Sequence, residues 1–518
     1  MTSIRRFSMH PGRRVCLIRL KRPIVLASAL LLLTSAVLLP GCSTLPKSYY
    51  EHSVPESAEG SAVSEPETPE AKDFTLCYSS EDSLSPFAAR TRSNLELASL
   101  LYQGLTALDA EWAPQPALAS SVTVSGTTVT AVIRENAVFS DGSAVTAADA
   151  ASSFELAKAS DNYKVLLKNV AGAAAEKGAV VFTLSSPDPN AAACLSFPVI
   201  KSGTADSPVG SGPYVYKTGG EPSLEANPHA DSSALPVIRL KDYPNGDATI
   251  RGLESGAISF YFDDLSSGDI PRTSSANINV PLNSLVFLGI NSKKAGLSGS
   301  AVRGALSNAI SRTNLAANAF AGRAQPASAP FSGQWKPAVE LKGFDVNENI
   351  AVAVAQLEQA GYNNTDGNPL SVELLVSEGN SFRTTAAELL QQQLAKAGVS
   401  VTVVSLPFAE YGERLKSGDF TLYLGEIRLP ANMGLWPFFS ADGPASYGID
   451  TGGSAAAAYG EYLAGGKTLQ EFADIFTQDV PFIPLCWREG LAAYDRSLTG
   501  VTPTAFNAYY GIGGWSFS

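Results

Sequence analysis

The chain has 518 residues, 45% of them hydrophobic and 17% charged, with a formal net charge of −12. That is material for two or three globular domains, and its acidity excludes a nucleic-acid binder or a docker on anionic surfaces. Only His10, His52 and His229 are present, so a histidine-rich metal site and Ser-His-Asp chemistry lack their ligands and their base, and neither metal nor cofactor is expected.

The first 41 residues carry Arg5, Arg6, Arg13, Arg14, Arg19, Lys21 and Arg22 and no acid, then the apolar run "IVLASALLLLTSAVLL" at 24–39. A basic front with a short apolar core reads as an export signal. The run is short for a membrane span, although an uncleaved anchor is the alternative. Leu39-Pro40-Gly41-Cys42 resembles the lipobox of bacterial lipoproteins, with Pro40 an unusual residue for its place. That resemblance implies an acylated Cys42 and a body held on the extracytoplasmic face of the bacterial cell membrane. Two acyl chains suffice for stable anchoring, at about 0.8 kcal/mol per buried methylene. With the leader removed, the remaining chain is more acidic still. Residues 43–72 hold four prolines and six glutamates and almost no aliphatic bulk, which reads as a disordered tether spanning roughly 30 Å.

Structure is expected to begin at "KDFTLCYSS", where Phe74, Leu76 and Tyr78 alternate with polar neighbours as in a strand. "SNLELASLLYQGLTALD" reads as a helix with Leu97, Leu100, Leu101 and Gly104 on one face and Gly104 as its stop. "SVTVSG" and "TVTAVIR" read as strands around a turn at Ser125-Gly126. In "FSDGSAVTAADAASSFELAK", residues 139–158, Asp141-Gly142 spells a tight turn. Thr146 and Asp149 spell a capping box in its acidic form. By local physics this junction is structural punctuation. Cys77, Cys194 and Cys486 permit one disulfide and one leftover thiol, or three free thiols, and spacing does not choose.

The second half is more regular. "SGSAVRGALSNAISRTNLAANAF" places Val302, Ala305, Leu306, Ala309 and Ile310 on one helical stripe, with Arg303, Ser307 and Ser311 off it. "NENIAVAVAQLEQAGY" is a further helix. Strand "SVELLV", helix "FRTTAAELLQQQLAKAG", strand "VSVTVVSL", helix "AEYGERLKSG" and strand "DFTLYLGE" then alternate, with Gly398 and Gly418 at helix ends. Alternation of this kind predicts a mostly parallel α/β sheet. "DVPFIPLCWREGLAAY" reads as one or two closing strands.

Several of these stretches together resemble the family 5 extracellular solute-binding proteins, receptors of ABC importers for peptides, nickel and oligosaccharides. "LLYQGLTALDAEWAPQPALASS" is similar to the family's Leu-Tyr-x-Gly-Leu segment with its Pro-x-Leu-Ala run. Arg134, Asn136, Phe139, Asp141, Gly142, Thr146, Ala147, Asp149 and Ser153 match its Phe-x-Asp-Gly and Thr-Ala-x-Asp signature. "GSGPYVYK", "VRGALSNAISR" and "AVAQLEQAGY" match further pieces in order, with Ser311 where an aspartate is usual. The resemblance covers about residues 73–490. It implies a two-lobed α/β fold of the large class II periplasmic-binding-protein type, with an extra small subdomain in lobe I and a hinge between lobes. Lobe I would be 73–268 (small subdomain about 120–200) with a return over 480–518, and lobe II would be 269–479.

The resemblance also implies a ligand held between lobes. Peptide-binding members place an aspartate in the segment matched by "LYLGEIRLPANMGLWPFF", 422–439, and that aspartate is absent here. Glu426 then stands for a cationic group and Arg428 for a carboxylate, or the two pair with each other on a solvated rim. Asn432 follows, and Trp436 stacks on a ligand or packs in the core. Ser83, Leu84 and Ser85, after the first strand, would offer backbone and hydroxyl groups, or form a simple turn. Trp487 is a further candidate near the lobe crossing. The function implied is capture of a peptide or similar small solute for an ABC permease by a monomer. A ligand sensor or surface interaction protein on the same fold is the alternative. An enzyme is disfavoured by the scarcity of histidine and the lack of a Gly-x-Ser-x-Gly elbow.

Overall fold

The computed structural model describes residues 72–230, 235–243, 245–363 and 367–518. The basic leader, Cys42 and the acidic stretch to residue 71 lie outside the described residues. Strand Phe74–Tyr78 buries Phe74, Leu76 and Tyr78 and pairs in parallel with Val237–Asp242. Ser223–Ala226 and Tyr214–Lys217 complete a four-stranded sheet. Helix Arg92–Leu101 covers it with Leu97, Leu100 and Leu101. The helix stops at Leu101, where Tyr102 turns extended, and not at Gly104. Gly104 instead permits a close crossing. A Cβ there would lie 2.8 Å from the Ser196 carbonyl carbon, so only glycine lets the two chains pass this closely.

The junction at 139–158 folds as its residues dictate. Gly142 takes φ +81° in the turn. Thr146 Oγ1 accepts from the Asp149 N–H at 3.3 Å, and Asp149 Oδ2 accepts from the Thr146 N–H at 2.9 Å. The capped helix Ala147–Ala159 lies on a four-stranded antiparallel sheet containing Ala119–Ser125 and Thr128–Ile133. Phe154, Phe182 and Phe197 meet there edge to face.

The expected parallel sheet is realised only in part. Ser371–Ser377, Ser400–Leu406 and Leu422–Arg428 are mutually parallel. They are joined to two long strands, Ala276–Ile290 and Phe482–Tyr494, whose pairings are antiparallel. The sheet of seven strands is therefore mixed. Two apolar clusters sandwich it: Leu422 and Leu424 face one, Tyr423 the other, the alternation a pleated strand imposes. The long strands continue beyond both clusters, so that Val280, Leu282 and Ala492 pack with Phe74 and Leu240. The C-terminal segment joins this same core, with Trp515 5.0 Å from Phe260 and 6.2 Å from Phe74 between ring centres.

Two departures from the periodic reading matter below. The helical stretch expected over 298–320 is two helices, Ser300–Asn308 and Arg312–Asn318, the second capped by Ser311. Its supposedly outward residues Arg303, Ser307 and Ser311 are buried, because neighbours cover both faces. In strand 482–494 the register slips where Cys486 opposes Val286 but Pro484 opposes Phe287. Leu485 and Cys486 consequently face the same cluster. A bulge of this kind re-aims the side chains after it: Trp487 points into one cluster and Arg488 toward Phe320 and Phe382 on the other face.

Candidate functional site

Strand Leu422–Arg428 ends at the carboxyl edge of the parallel strands, the side on which open α/β sheets take ligands. From Glu426 onward the chain alternates between core residues, Leu429, Met433, Leu435 and Phe438 among them, and polar side chains that meet elements distant in sequence. Arg428 Nη2 donates to Asp264 Oδ2 at 2.5 Å. The same oxygen is paired with Arg92, whose Nε lies 2.5 Å from Glu96 Oε1. Asn432, buried, donates to Asp188 Oδ2 at 2.6 Å. Trp436 is half-buried with the Lys168 ammonium 5.6 Å over its ring, and Lys168 also pairs with Asp442 at 2.8 Å. Asn190 donates to the Tyr462 hydroxyl at 3.0 Å. The seam formed between 426–462 and residues 92–264 thus combines these polar pairs with apolar contacts: Trp112 lies in the cluster of Leu429 and Met433, and Ala431 packs with Leu108 and Ala193.

Glu426 does not pair with Arg428. Arg383 Nη2 stands 3.4 Å from Glu426 Oε2 and Arg488 Nη1 3.6 Å from Oε1. Arg383 opens helix Ser381–Lys396 one turn after its Asn380 cap, a position the helix dipole makes unfavourable for a cation. Arg488 is fully buried.

The seam perturbs its carboxyls in opposite directions. Burial pushes Glu96 up to about 7, with Arg92 opposing. Burial also raises Asp264, but Arg92 and Arg428 outweigh it and hold that carboxyl well below the usual range. Asp188 is raised by burial, against the hydrogen bonds from Asn190 and Asn432.

Ser83, Leu84 and Ser85 fall elsewhere. They line a cavity of ≈ 510 Å³ whose walls come entirely from residues 78–218, Tyr78, Tyr102 and Tyr216 among them. Glu426, Arg428, Asn432 and Trp436 are not in that wall, so the two sets of candidates do not share one cavity. The Ser83 hydroxyl accepts from the Ser85 N–H at 2.9 Å, and the Leu84 carbonyl accepts from the Tyr102 hydroxyl at 3.2 Å. Asn94 ties the carbonyls of Ser79, Asp82 and Ser83 to helix 92–101, which carries Arg92 into the seam. Trp487 is buried with its indole N–H unpartnered.

Arg92, Asp188, Asp264, Arg383 and Arg488 were not singled out by sequence reasoning. Two of them carry a signal in hindsight: Arg488, with Glu489 beside it, interrupts an otherwise apolar strand, and Arg383 is a cation in a first helical turn. Cys77, Cys194 and Cys486 are free thiols, so no disulfide joins the described residues. Among the described residues no cluster of three or more His, Cys, Asp or Glu is arranged to hold a metal, and no helix is long and apolar enough to cross a membrane.

The architecture, a mixed α/β sheet with two long antiparallel strands running through it, is that of the two-lobed binding proteins of the periplasmic type. Residues 113–445 match the middle region of the bacterial extracellular solute-binding proteins, family 5, and the chain belongs to that family. The glutathione-binding protein GsiB of Salmonella typhimurium is 24% identical over 83% of this chain and 92% of its own. Among solved structures, the unliganded open form of the periplasmic murein tripeptide-binding protein MppA superposes with a TM-score of 0.74. It is 16% identical, over 86% of this chain and 98% of its own. The oligopeptide-binding protein AppA of Bacillus subtilis, solved with a nonapeptide, gives 0.59 at 20% identity, over 86% of this chain and 99% of its own.

Proposed function

We propose that this protein is a lipid-anchored, extracytoplasmic receptor that captures a peptide or similar small solute at the seam and delivers it to an ABC import permease. The observation that carries this reading is the polar closure of the seam by one short segment. Arg428, Asn432 and Trp436 each reach a different element of the first half of the chain. Polar pairs of this sort exchange a protein partner for solute or water at little cost, and the apolar contacts of Trp112 and Ala431 favour the closed arrangement. The lobe boundaries expected at 268/269 and 479/480 are moved into the two long strands, because Val280, Leu282 and Ala492 pack with Phe74 and Leu240 on the lobe I side while Phe482, Ile483 and Leu485 pack in the clusters of lobe II. The chain between them continues in strands 276–290 and 482–494, whose ladder is interrupted between Pro281 and Leu285, and that interruption is the natural flexing point.

In this reading Glu426, Arg428, Asn432 and Trp436 change partners from lobe I to solute, or share both. Ser83, Leu84 and Ser85 act from behind, fixing through Asn94 the helix that presents Arg92. Solute then stabilises the closed state because only there does it touch both lobes. Acylated Cys42 and the acidic segment 43–72 hold the monomer at the membrane within reach of the permease. The role is binding, without chemistry on the solute. The relatives' names, glutathione-binding and oligopeptide-binding, agree with a small peptide-like solute.

Native mass spectrometry of the protein as purified tests this. Retention of a small solute that is lost on partial unfolding, and rebinds on refolding, is the expected result. A preparation that carries no solute, and gives no heat with a mixed peptide library or with glutathione, would contradict it.

A further inference from the structure

Among the described residues five that are not glycine take a positive φ. Two of them, Trp112 at +58° and Met433 at +53°, share one apolar cluster and are fully buried. Bulky side chains rarely adopt this backbone and hold it only where the surroundings over-determine it. Trp112 sits in the turn of a hairpin made by Thr106–Leu108 and Pro114–Pro116. Asp109 builds that turn: its Oδ1 accepts from the Glu111 and Ala113 N–H groups at 2.9 Å, and its carbonyl accepts from the Trp112 N–H at 3.0 Å. The hairpin belongs to lobe I, yet its tip is gripped by lobe II. The Trp112 ring joins the cluster of Leu429, Met433 and Leu435, and Leu108 packs with Ala431. The Ala110 carbonyl accepts from Gln334 Nε2 at 2.7 Å, and the Glu111 carbonyl from the Lys336 N–H at 2.9 Å. Lys336 Nζ also pairs with the Glu111 carboxylate at 2.9 Å, both side chains being exposed.

We propose that the hairpin 106–116 is a latch that draws the two lobes together without solute, with Trp112 as its bolt and segment 429–433 as its keeper. Docking takes a tryptophan ring out of water, which favours closure. The strained backbones of Trp112 and Met433 oppose it, because undocking leaves both free to relax. The two effects offset each other in part, and a contact balanced in this way can dock and release. Met433 directly follows Asn432, whose side chain donates to Asp188 across the seam, so the keeper is continuous with the polar closure. The latch acts on the position of the lobes, whatever they capture.

The test is the distance between spin labels at Glu155→Cys and Glu461→Cys, both exposed positions, in solute-free protein with Cys77→Ser. Trp112→Gly suits the positive φ and removes the ring. It is expected to move the ratio of long to short separation at least about tenfold toward the long one. Glu111→Lys sets two cations against each other at the exposed tip and is expected to move the ratio the same way, about threefold. Adding Lys336→Glu to that variant should restore the parental distribution. A Trp112→Gly protein that melts earlier with its seam distances unchanged would make Trp112 a core residue only and overturn the latch. Should Trp112→Gly not fold, the charge swap decides: no shift in Glu111→Lys, or a shift that Lys336→Glu does not reverse, overturns it equally.

Discussion

Arginines are buried in two regions of this protein, and they are treated differently. In the helix pair after strand 276–290, every guanidinium nitrogen of Arg312 has a partner. Nε donates to the Pro484 carbonyl at 2.8 Å, Nη1 to Ser307 and Asp345 carbonyls, and Nη2 to the Ser307 hydroxyl at 2.8 Å. Arg303 likewise reaches the carbonyls of Leu297, Ser298, Asp479 and Val480. At the end of strand 422–428, Arg383 and Arg488 keep unmet donors around one acid. A guanidinium that closes its own hydrogen bonds is a fastener for loops and helix ends. Arg488 is instead held between Phe320 and Phe382 with donors to spare.

Perturbing each region should expose that difference. The largest loss is expected for Arg312→Met, roughly 3 kcal/mol or more in urea denaturation, since it orphans buried carbonyls and removes charge-assisted bonds together; solute affinity should not change. Next is a pH effect at the seam. The Glu96 carboxyl is raised to about 7 when folded, so the folded state binds more protons than the unfolded chain. Its contribution is complete below the unfolded value of about 4.3 and is lost as pH climbs through 7. Glu96→Gln should flatten this fall, on the order of 2–3 kcal/mol, in denaturation curves taken between pH 4 and pH 8.

Thr146→Ala should cost about 1 kcal/mol, the usual worth of a helix cap, with solute titrations unaltered, because the junction at 139–158 is scaffold. The smallest change in apo stability is expected for Arg488→Met, within about 1 kcal/mol of wild type, since Arg488 makes a single hydrogen bond, to the Leu265 carbonyl, and Arg383 still faces Glu426 once it is gone. A loss at Arg488 as large as that at Arg312 would erase the distinction between the two regions.

Much of the fold was legible where structure is local. The Asp141-Gly142 turn and the Thr146–Asp149 box need only four adjacent residues, and the alternation from 371 to 428 needs only its periods. The features that escaped were set by partners. Strand Ala276–Ile290 is interrupted by Pro281 and by Asn and Ser, which punctuate it like a turn, and only its antiparallel neighbour holds it extended. The inward Arg488 depends on a bulge against Val286 and Phe287, which no reading of residues 482–494 alone contains. At the site, the segment carrying Glu426, Arg428, Asn432 and Trp436 stood out by composition. Its partners lie far away, Asp264 at a separation of 164 residues and Asp188 at 244, and spacing says nothing about such pairs.

The most direct measurement is the distance across the seam, by double electron–electron resonance between spin labels at Glu155→Cys and Glu461→Cys, both exposed positions, in a Cys77→Ser background. With the retained solute removed, two separations or one broad distribution are expected, collapsing to the shorter on adding the solute back. A single narrow distance, identical with and without solute, would contradict a receptor that closes on what it binds.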